Sequence, residues 1–256
     1  MEQTFKKNYS VLLNKINTDK YISIVSLIDY LGNSAGSHSE SLGYSLGSLF
    51  KRGYSWILLS WNILIDQLPK TKETFQIETW ISKSKRCFAY REFLVRNSQN
   101  KIITHASSRW LFYNIKKRKP TNIFTEFSTG WNAIQEKACN KSILGSPLIK
   151  QPTYKKTEHS FVVKKEDIDI LDHVHNSKYI DWALNVKPET IYKKNMLKHI
   201  QVYYHHEIKY PSEIIIQQQF KKTENNNEQL IYDKIFNKNE QRISAEIATK
   251  WEIILP

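Results

Sequence analysis

At 256 residues, 40% hydrophobic and 12% aromatic, the chain can bury a sizeable core and is too apolar to be disordered. Seven glycines argue against a Gly-rich nucleotide-binding design, and two cysteines are too few for a disulfide scaffold and suit a reducing cytosol. A net charge of +13 attracts acidic partners without choosing between nucleic acid, anionic lipid and an acidic carrier protein. No apolar run approaches bilayer length, and the first residues lack the apolar stretch of a signal peptide, so the expected location is cytoplasmic, with no membrane partner.

In chain order, Ile24, Leu27, Ile28 and Leu31 fall at i, i+3, i+4 and i+7 and predict a helix over 24–31. The following polar stretch, 32–53, reads as a flexible insertion. It contains Gly43-Tyr-Ser-Leu-Gly47, formally the nucleophile elbow G-x-S-x-G, but the elbow needs a buried strand before the serine, and residues 34–41 form none. Residues 75–80 alternate apolar and polar, while 88–95 and 109–115 are rich in aromatic and β-branched side chains; all three predict strands. The run 116–156, rich in Lys, Asn and Ser and holding Pro120, Pro147 and Pro152, reads as the link between two halves.

The second half repeats the order. Tyr179, Trp182, Ala183 and Val186 carry helical spacing over 178–186, and 202–208, 213–220, 229–236 and 242–255 read as strands. Ser107-Ser-Arg-Trp110 recurs as Ala248-Thr-Lys-Trp251, at nearly the offset that relates Glu73 to Glu213. A tandem repeat of one α+β unit fits this pattern, with domains over 1–120 and 153–256 and a linker over 121–152.

Chemistry concentrates in 166–182. There, acids, His173 and Asn176 run directly into the second helix, a grouping able to activate a water and steady an oxyanion. A structural reading competes with it: Asp169 and Asp172 can cap the helix, and His173 can be a satisfied polar residue. His173 with His175, and His205-His206 with Glu207, are metal-ligand types at generic spacing, and no metal or other cofactor is expected. Alternation along a strand over 202–208 would put His205, and not His206, on the side of Glu207. The basic run Lys116-Lys-Arg-Lys119, with Arg86, Lys155 and Lys156, reads equally as a docking surface for an acidic carrier and as a solvated loop.

Several of these motifs together resemble one family. Gly53-Tyr-Ser-Trp56, Glu78-Thr-Trp80, Arg91-Glu-Phe-Leu-Val-Arg96 and Ser107-Ser-Arg-Trp-Leu-Phe-Tyr-Asn114 resemble the strand signatures of the acyl-acyl-carrier-protein thioesterases of bacteria and plant plastids. Asp167-Ile-Asp-Ile-Leu-Asp-His-Val-His-Asn-Ser-Lys-Tyr-Ile180 is similar to their active-site motif, typically D-x-D-x-N-x-H-V-N-N-x-K-Y, and Tyr203-Tyr-His-His-Glu-Ile208 to the strand after it. The resemblance spans nearly the whole chain. It implies two tandem hotdog domains, each a curved antiparallel sheet wrapped around a central helix, the first holding the acyl chain and the second the water chemistry. It implies hydrolysis of fatty acyl thioesters of acyl carrier protein, without a cofactor, and assigns active-site roles to Asp169, His173 and Glu207. Two positions depart from the family: Leu171 stands at its Asn and Ile208 at its Cys, which favours direct attack by water and leaves a non-catalytic acyl or carrier-binding protein as the alternative. An acyl-coenzyme A thioesterase is a further alternative. The expected partner is an acidic acyl carrier protein and not nucleic acid; a homodimer stays open.

Overall fold

The structure, a computed structural model, describes residues 4–125, 127, 133–140, 150, 152–223, 225 and 227–254. The chain divides into two compact units, Met1–Leu59 with Ile63–Asn140 and Ser60–Asn62 with Lys141–Pro256.

In the first unit the elements run β1 (Phe5–Ser10), α1 (Ile24–Ser41), α2 (Leu46–Lys51), β2 (Tyr54–Ile65), β3 (Thr74–Lys85), β4 (Phe88–Arg96), β5 (Ile102–Asn114) and the two-residue β6 (Lys119–Pro120). The sheet order is β1-β3-β4-β5-β2, with β6 paired to β5. The second unit runs β7 (Thr153–Val162), α3 (Asn176–Asn185), α4 (Glu189–Lys194), β8 (Asn195–Tyr204), β9 (Glu213–Lys221), β10 (Glu228–Asn237) and β11 (Arg242–Ile253). Its sheet order is β7-β9-β10-β11-β8, antiparallel throughout. Numbered within its own unit, each sheet therefore reads first, third, fourth, fifth, second, and the helix follows the first strand in both. The expected repeat is present at the level of topology.

Single residues repeat too. The Trp110 indole donates to Ser108 Oγ at 2.7 Å, and the Trp251 indole to Thr249 Oγ1 at 2.9 Å. The acidic pair is one residue out of step: Val11 N–H donates to the carbonyl of Glu73, whereas Val163 N–H donates to that of Ser212.

The stretch 32–53 is not a flexible insertion. Helix α1 continues to Ser41, because Ser34, Ala35 and His38 extend the buried stripe begun by Ile24, Leu27, Ile28 and Leu31. Small and polar side chains hid that stripe from a hydrophobic pattern. Ser34 Oγ donates to the Tyr30 carbonyl at 2.9 Å, and the Tyr9 hydroxyl lies 2.8 Å from Ser34 Oγ. Ser45, the serine of the formal elbow, caps α2 by accepting Ser48 N–H at 3.2 Å. Residues in the span proposed as linker pack on the first unit: Ile123 and Phe127 are buried with Leu49, Ala89 and Phe112, and Glu136 O accepts the Trp80 indole N–H. Residues 141–149 and 151, also in that span, lie outside the described residues.

Both helices are tied to their sheets by buried polar contacts. In the first unit Arg91 Nη1 donates to His38 Nδ1 at 2.8 Å and to Thr79 Oγ1 at 3.3 Å. Burial, reinforced by the guanidinium, lowers the His38 imidazole to about 4. In the second unit Lys187, just past α3, donates to Asp233 Oδ2 at 2.8 Å and to the Ala183 carbonyl, while Gln218 Nε2 donates to Asp233 Oδ1 at 2.7 Å. Lys187 and Asp233 side chains are both fully buried, so losing either would strand a charge in the core at a cost of about 3–5 kcal/mol.

The His38 contact makes stability pH-dependent. The imidazole is neutral in the fold down to about pH 4, whereas an unfolded histidine takes up its proton near 6.5. Between those values the unfolded state binds the extra proton, so stability falls as pH falls through the window, by roughly 3 kcal/mol in all. His38→Gln keeps an acceptor for Arg91 and removes the titration. Urea unfolding at a series of pH values should give a shallower loss of stability from pH 6.5 to 4 in the variant than in the wild type; parallel curves would exclude His38 as the source.

Candidate active site

The residues singled out by sequence meet on one loop and on the segment facing it. Asp169 N–H donates to the His173 carbonyl at 2.8 Å, and Asp169 Oδ1 accepts the N–H groups of Leu171 (2.8 Å) and His173 (3.3 Å). Asp172 completes the turn with φ of 65°, a left-handed conformation that Asp tolerates better than most residues. A short side chain ending in an acceptor is what such a turn requires, which explains Asp at 169. Val174 N–H then bonds the Ile208 carbonyl, His175 N–H bonds the Asp167 carbonyl, and α3 begins. The buried Asp167 carboxylate braces the loop by accepting Lys164 N–H and meeting Lys178 Nζ at 3.2 Å.

His173 Nε2 contacts Glu207 Oε2. The orienting carboxylate of the imidazole is thus Glu207, while Asp169 shapes the backbone. In a neutral ring that donates Nε2–H to Glu207, Nδ1 carries the lone pair. Glu207 is not on a strand: β8 ends at Tyr204, and the His205 and His206 N–H groups both donate to the Ser244 carbonyl. The expected alternation therefore fails. His205 Nε2 bonds Glu246 Oε2 at 2.9 Å instead of joining Glu207. No group of three or more metal-ligating side chains occurs among the described residues, and His175 Nδ1 caps α3 by accepting Ser177 N–H.

The helix start behaves as the oxyanion reading requires at one position only. Val174 and His175 N–H are engaged by Ile208 and Asp167, Ser177 N–H by His175 Nδ1, and Lys178 N–H by the His175 carbonyl. Asn176 N–H, the first of the helix, has no partner among the described residues and lies at the positive end of the helix dipole.

Sequence reasoning missed Tyr179. It lies on α3, 3% exposed, and its phenol oxygen accepts Ile208 N–H at 3.0 Å. Burial raises its pKa, with the carboxylates of Glu207 and Asp169 adding to the effect, so the phenol stays protonated. Helical spacing marked Tyr179 as core; only the position of Ile208 reveals the work of its oxygen. The Tyr204 hydroxyl, donating to the Asn176 carbonyl at 2.9 Å, holds the first turn of α3 against the end of β8.

The first unit contains the same loop without the chemistry. Asn17 N–H bonds the Tyr21 carbonyl at 2.7 Å, and Asn17 Oδ1 accepts the N–H groups of Asp19 and Tyr21. Lys20 has φ of 65°, Ile22 N–H bonds the Pro69 carbonyl, and Ser23 N–H bonds the Lys15 carbonyl. Each bond matches one in the 167–175 loop, so Tyr21 stands where His173 stands and Leu68, before Pro69, where Glu207 stands.

Two units of one topology, each a helix on an antiparallel sheet with a copy of one loop, define a tandem hotdog protein. The chain belongs to the acyl-ACP thioesterase family: residues 2–131 match its N-terminal domain and residues 150–253 its C-terminal domain. Among curated relatives, the chloroplastic palmitoyl-acyl carrier protein thioesterases of Gossypium hirsutum and Arabidopsis thaliana are 27% and 26% identical over 220 residues, covering 79% of this chain and 52% of theirs. The chain thus spans about half the length of the curated relatives it matches. Two solved structures share the fold: an acyl-ACP thioesterase from Bacteroides thetaiotaomicron (TM-score 0.82, 22% identity, 98% of each chain covered) and the 12:0-ACP thioesterase from Umbellularia californica (TM-score 0.79, 17% identity, 98% of this chain and 95% of that one).

Asn17 shows that an amide closes this loop as well as a carboxylate. Asp169→Asn should therefore unfold within about 0.5 kcal/mol of the wild type, while Asp169→Ala, which strands two N–H groups, should lose about 1–3 kcal/mol. Chemical denaturation of the two variants measures this; equal losses would show that the negative charge, and not the acceptor, holds the turn.

Proposed function

We propose that the protein hydrolyses fatty acyl thioesters of acyl carrier protein, releasing free fatty acid and carrier thiol. The observation that carries this reading is the contact of His173 with Glu207, made on an acceptor-closed loop at the start of α3 in a chain of this family. In the proposed reaction His173 Nδ1 takes a proton from water as the water oxygen attacks the thioester carbonyl carbon. Glu207 accepts the Nε2–H bond and stabilises the imidazolium that forms. Asn176 N–H receives the developing oxyanion. Collapse of the tetrahedral species breaks the C–S bond, and the imidazolium returns its proton to the departing sulfur. The carboxyl of the fatty acid retains the water oxygen. Attack by water, and not by an enzyme thiol, is supported by Ile208 at the family's Cys position.

Thiol release from a panel of acyl-carrier-protein thioesters tests this. His173→Ala should lower turnover by about 10²–10⁴-fold. Asn176→Pro tests the oxyanion donor separately. Proline is favoured at the first helical position, and His175, with ψ of 135°, already has the extended backbone that a following proline requires. The variant should fold normally and lose about 10²–10³-fold in kcat. Absence of wild-type turnover at every chain length, with carrier still bound, would favour the non-catalytic alternative that Leu171 raises.

Leu171 has its own test. Its N–H serves the loop and its side chain is 45% exposed, so Leu171→Asn should leave the backbone in place. An increased kcat would show that the amide supplies a water ligand the natural chain lacks; a decrease would mark leucine as adapted to this site.

A further inference from the structure

We propose that Tyr179 is a positioning residue for Glu207: its phenol oxygen, by holding Ile208 N–H, sets the carboxylate against His173. Glu207 lies on a segment, 205–212, that no strand ladder restrains. The segment is fastened before Glu207 by the His205 and His206 N–H bonds to the Ser244 carbonyl. Directly after Glu207 it is fastened by both backbone groups of Ile208, the N–H to Tyr179 Oη and the carbonyl to Val174 N–H. Among the described residues the only side-chain partner of Glu207 is His173, and the Glu207 side chain is 55% exposed, so its place is set by its backbone and not by packing.

A core aromatic alone would need no oxygen. The Tyr179 ring packs edge-on against Tyr204 at 5.4 Å and tilted against Trp182 at 5.7 Å, contacts a phenylalanine would keep. The hydroxyl is spent on the one backbone N–H adjacent to Glu207. Helix α3 thus carries two tasks within one turn: its first N–H is the oxyanion donor of the proposed reaction, and its fourth residue fixes the carboxylate that orients the imidazole. In the first unit Leu27 stands on α1 where Tyr179 stands on α3, and that unit also lacks the carboxylate.

This role rests on the proposed thioesterase reading only for its kinetic consequence, so the test has two arms. In the first, ¹⁵N NMR of the imidazole reads the tautomer of His173 in the wild type, Tyr179→Phe and Glu207→Ala, with no substrate present. Tyr179→Phe should move the His173 ring signals toward those of Glu207→Ala; unchanged signals would overturn the proposal whatever the protein hydrolyses. In the second, Tyr179→Phe should lower kcat by roughly 10–100-fold with KM little changed, as expected of a misplaced catalytic group. The same substitution should add nothing in the Glu207→Ala background. Losses that multiply in the double variant would assign Tyr179 a structural role independent of Glu207. Should Tyr179→Phe fail to fold, amide exchange in the wild type decides: strong protection of Ile208 N–H is expected, and exchange at the rate of an open loop refutes the clamp. Failure of the thioesterase reading would appear as an inactive wild type, which leaves the NMR and exchange outcomes intact.

Discussion

One acceptor atom organises the site. Asp169 Oδ1 takes two backbone N–H groups from the turn that follows it, and those bonds bring the chain round into α3 with the first helical N–H unengaged among the described residues. Without that acceptor two N–H groups in a tight turn would compete for water, at about 1 kcal/mol or more each. Asn17 Oδ1 does the same in the first unit, and there Tyr21 and Leu68 occupy the places of the imidazole and its carboxylate. The loop is therefore a structural device that the fold uses twice. What separates the two copies is chemical: His173 against Tyr21, and Glu207 against Leu68. That contrast favours the second unit as the seat of the proposed hydrolysis, on grounds independent of any relative.

The second unit also holds α3 at both ends, which a site built on a helix start demands. The Tyr179 and Tyr204 hydroxyls tie its first turn to Ile208 and to the end of β8, and the buried Lys187–Asp233 pair ties its far end to β10. The first unit anchors α1 through the neutral His38 accepting from Arg91. The two solutions have opposite electrostatics. The second unit relies on a buried pair of opposite charges, whereas the first relies on a neutral histidine whose contact weakens as acid protonates it.

Much of this was legible in the chain. The repeat, the antiparallel strands, the two helices and the residues of the loop all follow from periodicity and motif. The errors have physical causes. The second half of α1 was lost because Ser34, Ala35 and His38 bury through hydrogen bonds and small volume, and a hydrophobic pattern cannot register them. The apolar run extended by Ile208 predicts a strand through 205–208, yet the chain leaves β8 at Tyr204 and one carbonyl, that of Ser244, receives two N–H groups. That departure is what frees Glu207 to reach His173. The division of labour between Asp169 and Glu207 was unreadable for a simpler reason: motif spacing says which carboxylates are near a histidine, not which oxygen meets which hydrogen.

The two departures from the family pattern differ in kind. Ile208 is fully buried, and its backbone, held at both polar groups, is what the site uses. A side chain there fills the core, so exchanging a thiol for a hydrocarbon leaves the scaffold intact and removes only a nucleophile that would have to emerge from packing to react. Leu171 is on the outer turn beside the fully exposed Ile170, and the loop draws only on its N–H. Replacing an amide there removes a polar side chain from the loop while sparing the turn. In the proposed reaction the attacking water then depends on the imidazole of His173 and the carboxylate of Glu207 without help from position 171. The geometry of that pair, and whatever fixes it, carries more of the catalytic demand here than it would in a chain with asparagine at that place.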